Sequence, residues 1–155
     1  MDASEASTFN KAVDWYKGRG HWFSPPAVQF RQGKPTISIP EDFPETSETT
    51  TFPDIASIYD ISARLKTPLA TYYRDYIRST LERLKSHGRK FGALIMEPTC
   101  LGAGGMVFVD PLFQSCLIEV VRASEDIFGD KSDATREPGG WQGLPVIYDE
   151  GERDC

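Results

Sequence analysis

The sequence predicts an α/β fold with a mostly parallel sheet and covering helices, and three observations predict it. Residues 91–96, reading FGALIM, form a short continuous apolar run, the pattern of a parallel strand covered on both faces. Residues 144–148, reading LPVIY, repeat that pattern. Between them Asp110 and Pro111 open a helix as N-cap and first residue, with Leu112, Phe113, Cys116, Leu117, Val120 and Val121 on one stripe as far as Ala123. Strand, helix, strand is a βαβ unit, which requires the two strands to run parallel.

The other elements follow in order. Residues 2–16 fit a short helix or a loop, and an aromatic, turn-rich segment with Trp22, Phe23, Pro25 and Pro26 comes next. Residues 36–39 alternate Thr-Ile-Ser-Ile before Pro40, which predicts a short edge strand. Residues 41–53 and 124–140 carry the polar, Pro- or Gly-containing composition of surface loops. Residues 54–66 predict one helix. A second is predicted over residues 68–86, where Leu69, Tyr72, Tyr73, Tyr76, Ile77, Leu81 and Leu84 recur every three or four positions, with Gly88 as its stop.

Composition narrows the function. With 39% hydrophobic and 26% charged residues, the 155-residue chain is a globular mixture with enough apolar side chains for a core. Its apolar runs fall far short of the ~20 residues that a spanning helix needs, so no membrane role is expected. Seventeen basic against 23 acidic residues give a net charge of −6, which disfavours nucleic acid as a partner. Cys100, Cys116 and Cys155 form no Cys-x-x-Cys pair and have no histidine at ligand spacing, which predicts reduced thiols and no metal site. Residues 1–7 are acidic and without an apolar stretch, so no targeting signal is read there.

Chemistry is expected at the carboxyl ends of the strands, where α/β sheets place ligands. Asp149 and Glu150 end the second strand of the unit, where paired acids could bind a metal, a ribose hydroxyl or a protonated ring nitrogen, and Glu97 ends the first. Each is also compatible with a solvated strand end or a carboxylate that satisfies loop amides. The glycines 102, 104 and 105 invite a phosphate-loop reading, but they lack the third glycine of G-x-G-x-x-G and any Gly-Lys-Ser/Thr ending, so a structural turn is the better fit. His87 reads as a helix-end residue and His21 as a packed one. Tyr72, Tyr73 and Tyr76 read as packing, and Arg83, Lys85, Arg89 and Lys90 as a solvated helix end.

Three separated motifs carry a resemblance. Residues 91–111, reading FGALIMEPTCLGAGGMVFVDP, residues 144–150, reading LPVIYDE, and the segment from Trp15 through Pro26 together resemble class III pyridoxal-phosphate aminotransferases. Within that class they are similar to the 7,8-diaminopelargonic acid synthase family, adenosylmethionine-8-amino-7-oxononanoate aminotransferases, in the eukaryotic form fused to dethiobiotin synthetase. The resemblance covers residues 1–150 apart from the loops, as a partial large domain, and leaves residues 151–155 as an unmatched tail.

That resemblance implies a type I pyridoxal-phosphate transferase fold, a homodimer, and amino transfer from S-adenosylmethionine to 8-amino-7-oxononanoate in biotin biosynthesis. It implies a mitochondrial location for eukaryotic members. It places Asp149 against the pyridinium nitrogen of pyridoxal 5'-phosphate, whose protonated ring acts as an electron sink. It also implies a Schiff-base lysine after the Asp-Glu pair and a phosphate loop before residue 1, and neither lies in these 155 residues. A fragment of the large domain is therefore expected, inactive and poorly soluble alone because its strands lack neighbours. A non-catalytic module that associates with an intact aminotransferase subunit is the alternative.

Overall fold

The structure, a computed structural model, describes residues 20–41, 43, 50–102, 105–128 and 143–149. Within them lie β1 (Ala27–Arg31), β2 (Lys34–Ser38), β3 (Thr50–Thr51), α1 (Ile55–Tyr59), α2 (Ile61–Arg64), α3 (Pro68–Ser86), β4 (Leu94–Met96), β5 (Cys100–Leu101), β6 (Val107–Phe108), α4 (Pro111–Ala123), α5 (Glu125–Phe128) and β7 (Val146–Tyr148). Among the described residues, helices are mixed with three small sheets, and one of these sheets is parallel.

That parallel pair is the predicted βαβ unit. β4 and β7 run side by side with Leu94 opposite Val146 and Met96 opposite Tyr148, and α4 lies between them in the chain. The prediction of two fully covered strands is corrected: Val146 is buried, but Ile147 and Tyr148, on opposite faces of β7, are each about half exposed. The connection also holds a small antiparallel hairpin, β5 with β6, where a plain glycine loop was expected.

The expected edge strand at residues 36–39 is the middle of an antiparallel sheet, ordered β1-β2-β3. Its outer neighbour β1 turns into β2 through Gln32 and Gly33, which have φ of 51° and 76°. Two successive positive φ values make the two-residue turn that matches strand twist. Gln-Gly is a weaker signal of that turn than Asn-Gly, which is why the hairpin is hard to read from sequence.

The predicted helix over residues 54–66 is two. Asp54 caps α1 by accepting from the Ser57 amide at 2.8 Å and the Ser57 hydroxyl at 2.7 Å. Asp60 ends α1 and caps α2, with its carboxylate accepting from the Ala63 amide at 3.0 Å. A short acidic side chain inside a helical run offers its own backbone this local alternative, and here it divides the helix.

α3 matches its prediction at both ends. His87 is its C-cap, and Gly88, at φ 76°, lets the Gly88 and Arg89 amides donate back to the Lys85 and Leu84 carbonyls at 2.8 and 3.0 Å, a Schellman ending. Its inner face, Ala70, Tyr73, Ile77 and Leu81, packs on the predicted α4 stripe. Full burial of each large apolar side chain contributes about 1.5–3 kcal/mol. Phe43 stacks on Tyr76 with ring centroids 4.0 Å apart, and Tyr73 meets Phe113 edge-on at 5.3 Å, so the tyrosines are packing, as expected. Phe43 comes from residues 41–53, which thus supply a core side chain and strand β3 as well as loop. Residues 124–140 likewise begin with α5, whose Ile127 is buried, and the rest of that segment lies outside the described residues. Arg74 with Glu119 at 3.0 Å, and Arg78 with Asp126, tie α3 to α4 and α5 at the surface.

Candidate functional site

The site is built where β4 and β7 end. Glu97 and Asp149 are the residues that follow Met96 and Tyr148, which are opposite each other in the parallel register. The Asp149 amide continues the ladder by donating to the Met96 carbonyl at 2.9 Å. Adjacent strands lie about 4.8 Å apart, so two acidic residues leave the same end of neighbouring strands. The Asp149 residue is exposed there. Glu150 lies outside the described residues.

The turn after β4 is tightly held. The Glu97 carboxylate bends forward and accepts from the Gly102 amide at 2.7 Å. Cys100 donates its amide to the Pro98 carbonyl at 2.8 Å, and Val109 donates to the Thr99 carbonyl at 2.9 Å. Thr99 has φ 68°, in the left-handed region that a β-branched residue rarely adopts. Gln114, from α4, donates to the Glu97 carbonyl at 2.9 Å and accepts from the Thr99 amide at 3.3 Å. Nothing in the sequence pattern marks Gln114, which looks like any polar residue beside an apolar stripe.

The glycine segment does not form a phosphate cradle among its described residues. Gly102 and Gly105 sit in the β5–β6 connection, several residues before α4, and the Gly105 and Met106 amides both donate to the Gly102 carbonyl, at 3.2 and 3.3 Å. The start of α4 is closed too, since the Asp110 carboxylate accepts from the Leu112 amide at 3.0 Å. Gly102 and Gly105 are placed as turn residues, and residues 103 and 104 lie outside the described residues.

Asp110 does more than cap. It is fully buried, with Arg64 donating to its two oxygens at 2.7 and 2.9 Å and the Tyr73 hydroxyl donating at 3.0 Å. Arg64 also donates to the Ile58 carbonyl at 2.8 Å, so one carboxylate joins α1, α2, α3 and α4. Burial first, and the Asp110 charge next, push the Tyr73 phenol far above its ordinary range, so it stays a donor. Burial raises the Cys116 thiol to about 11, which leaves it an inert core residue donating to the Ala70 carbonyl.

The remaining candidates lie away from the strand ends. His21 meets Phe23 edge-on at 4.8 Å and borders an apolar cleft with Leu81, Phe91, Leu94 and Leu144, and burial, with Arg83 and Arg89, lowers its pKa. It is packed, as expected. Arg89 donates to the Gly20 carbonyl at 2.7 Å and Lys85 to the Asp126 carbonyl at 2.8 Å, so the basic helix end is tied down more than expected. Among the described residues no cluster of three His, Cys, Asp or Glu is placed to hold a metal ion, and no helix is long and apolar enough to cross a membrane.

No protein-family profile matches the chain. The chain is 44% identical to the bifunctional dethiobiotin synthetase/adenosylmethionine-8-amino-7-oxononanoate aminotransferase of Emericella nidulans, over 97% of this chain and 20% of the relative. It is 42% identical to the bifunctional dethiobiotin synthetase/7,8-diamino-pelargonic acid aminotransferase, mitochondrial, of Arabidopsis thaliana, over 97% of this chain and 16% of that one. The Oryza sativa protein of the same name is 30% identical over 97% of this chain and 17% of its own length. The chain thus spans a fifth or less of the length of these curated relatives. Over nearly all of its own length, the chain is a homologue of one segment of the bifunctional dethiobiotin synthetase/7,8-diaminopelargonic acid aminotransferases.

Proposed function

We propose that residues 1–150 are part of the large domain of a pyridoxal-phosphate aminotransferase of type I fold, and that Asp149 is its partner for the cofactor's ring nitrogen. The observation that carries this reading is homology along 97% of the chain, joined to the place of Asp149 at the carboxyl end of a parallel strand pair. The reaction is transfer of an amino group from S-adenosylmethionine to 8-amino-7-oxononanoate, giving 7,8-diaminononanoate for biotin synthesis, by a homodimer. The mitochondrial label of the plant relatives supports the same location here.

The residues present fit one part of the cofactor. An exposed aspartate, its backbone fixed to β4 by the Met96 carbonyl, is the right group to hold a proton on a pyridine nitrogen. The bound cofactor supplies an electron sink whose strength depends on that proton. Glu97 is turned back onto the Gly102 amide and is assigned no proton transfer. The phosphate has no seat at the start of α4, which Asp110 closes.

The test is genetic. The gene that encodes this chain, with everything it encodes around it, is placed in a biotin-requiring strain that lacks 7,8-diaminopelargonic acid aminotransferase. Growth without biotin is expected, and Asp149→Asn is expected to abolish it. Failure of the unaltered gene to support growth, with the protein produced, overturns the assignment.

A further inference from the structure

Among the described residues, the turn that leaves β4 is held from outside by a side chain of α4. Gln114 reaches across the turn with both ends of its carboxamide, donating to the Glu97 carbonyl at 2.9 Å and accepting from the Thr99 amide at 3.3 Å. A carboxamide offers donor and acceptor on one planar group, whereas a carboxylate offers only acceptors and an ammonium only donors. Between the two contacts lies Thr99, at φ 68°. Such a conformation costs about 1–3 kcal/mol and persists where its surroundings over-determine it.

The clamp is one residue from the candidate site. Glu97 follows Met96, and the Met96 carbonyl is the group that receives the Asp149 amide. Contacts therefore run without a break from α4, through Gln114 and the Glu97–Thr99 turn, to the end of β4 and on to Asp149. The base of that series is rigid: the Gln114 amide donates to the Asp110 carbonyl at 3.2 Å, and Asp110 is fully buried in its ion pair with Arg64.

We infer that Gln114 is a positioning residue, which fixes the strand-end carboxylates Glu97 and Asp149 relative to α4 so that Asp149 is presented to the cofactor ring at a set height. This rests on the assignment of Asp149 as the ring-nitrogen partner. The competing role is that of a connector between β4 and α4 with no bearing on Asp149.

Two variants of the intact protein separate these roles. Gln114→Met keeps the length and removes both hydrogen bonds, and Gln114→Glu keeps the acceptor for Thr99 while losing the donor to the Glu97 carbonyl. In Gln114→Met, amide hydrogen exchange at Thr99 and Asp149 is expected to quicken by about 10-fold or more while amides in the middle of α3 and α4 keep their protection. Pyridoxal-phosphate affinity, read by absorbance titration, is expected to fall about 10-fold, a loss typical of removing a residue that orients a ligand-holding group. Gln114→Glu falls between. Unchanged exchange at Asp149, or a loss of protection spread evenly over α3 and α4, overturns the inference. Should Asp149→Asn weaken the cofactor and Gln114→Met not, the positioning role fails and the proposed function stands. Should the unaltered protein bind no pyridoxal phosphate, the proposed function fails, and the exchange measurement still decides whether Gln114 holds Asp149.

Discussion

Asp110 and Asp149 belong to the same βαβ unit and meet opposite fates. Asp110 is fully buried and saturated by Arg64, Tyr73 and the Leu112 amide. Asp149 is exposed at the end of β7, with its amide taken by the Met96 carbonyl. The difference separates an acid that serves architecture from one that, on the proposed function, faces a cofactor. A carboxylate whose lone pairs are filled by protein donors, in a place water does not reach, holds helices together. One at an exposed strand end, with its backbone amide bonded to the neighbouring strand, is in reach of a molecule outside the chain.

The sharpest way to break the comparison is to remove the buried acid. Asp110→Ala strands the Arg64 guanidinium in the interior with only the Ile58 carbonyl and the face of the Phe52 ring, neither of them a counter-charge, and loses the α4 cap as well. Unpairing a buried charge costs about 3–5 kcal/mol. Urea unfolding of Asp110→Ala should show a loss of that size, and Asp149→Ala a change within about 0.5 kcal/mol, as for an exposed position. Replacing the pair together, by Arg64→Met with Asp110→Asn, should recover part of the loss, because no charge is then left buried alone. Equal losses at Asp110 and Asp149 would erase the distinction drawn between them.

Much of this architecture was legible because it is local. The spacing of Leu69 to Leu84, the stop at Gly88, the Asp110-Pro111 opening and the two apolar runs each announce an element within a dozen residues, and the structure places α3, α4, β4 and β7 accordingly. Asp110 as a cap was legible for the same reason. Its partners were not: Arg64 and Tyr73 lie 46 and 37 residues away, and no periodicity reports a contact across such a separation. The division at Asp60 was hidden because an aspartate between apolar residues fits one long helix as well as two short ones. At the candidate site, Asp149 stood out through its strand and the family motif. Gln114 did not, since its role exists only once α4 lies against the turn after β4.

The strand-end region can be sharpened by relieving Thr99. Glycine adopts φ near 68° without the clash that a β-branched residue meets, but it enters with about 0.5–1 kcal/mol of extra chain entropy to lose. Set against about 1–3 kcal/mol of strain, Thr99→Gly should stabilise the protein by about 1 kcal/mol in urea unfolding. A loss of 1 kcal/mol or more would mean that the threonine side chain itself maintains the turn, and the strand end would then rank with the buried junction as architecture.

The smallest effect lies at His21, beside the amino-terminal approach to β4, and it tests whether that side of the unit is packing alone. Burial first, then the positive charges of Arg83 and Arg89, lower the His21 pKa below 6.5 in the folded protein. Above pH 6.5 the imidazole is neutral whether the chain is folded or not. As the pH falls from 6.5 toward the lowered value, the unfolded chain binds the proton first, so stability declines over that window. His21→Phe keeps a ring against Phe23 and cannot take up the proton. Its stability relative to the unaltered protein should therefore improve between pH 7 and pH 5.5, in parallel urea titrations at the two values, while the response of both proteins to acidification of their carboxylates cancels in the difference. A difference that stays constant with pH would show that the folded chain accommodates the imidazolium, and His21 would then be a titrating surface group rather than part of the packed wall beneath the parallel strands.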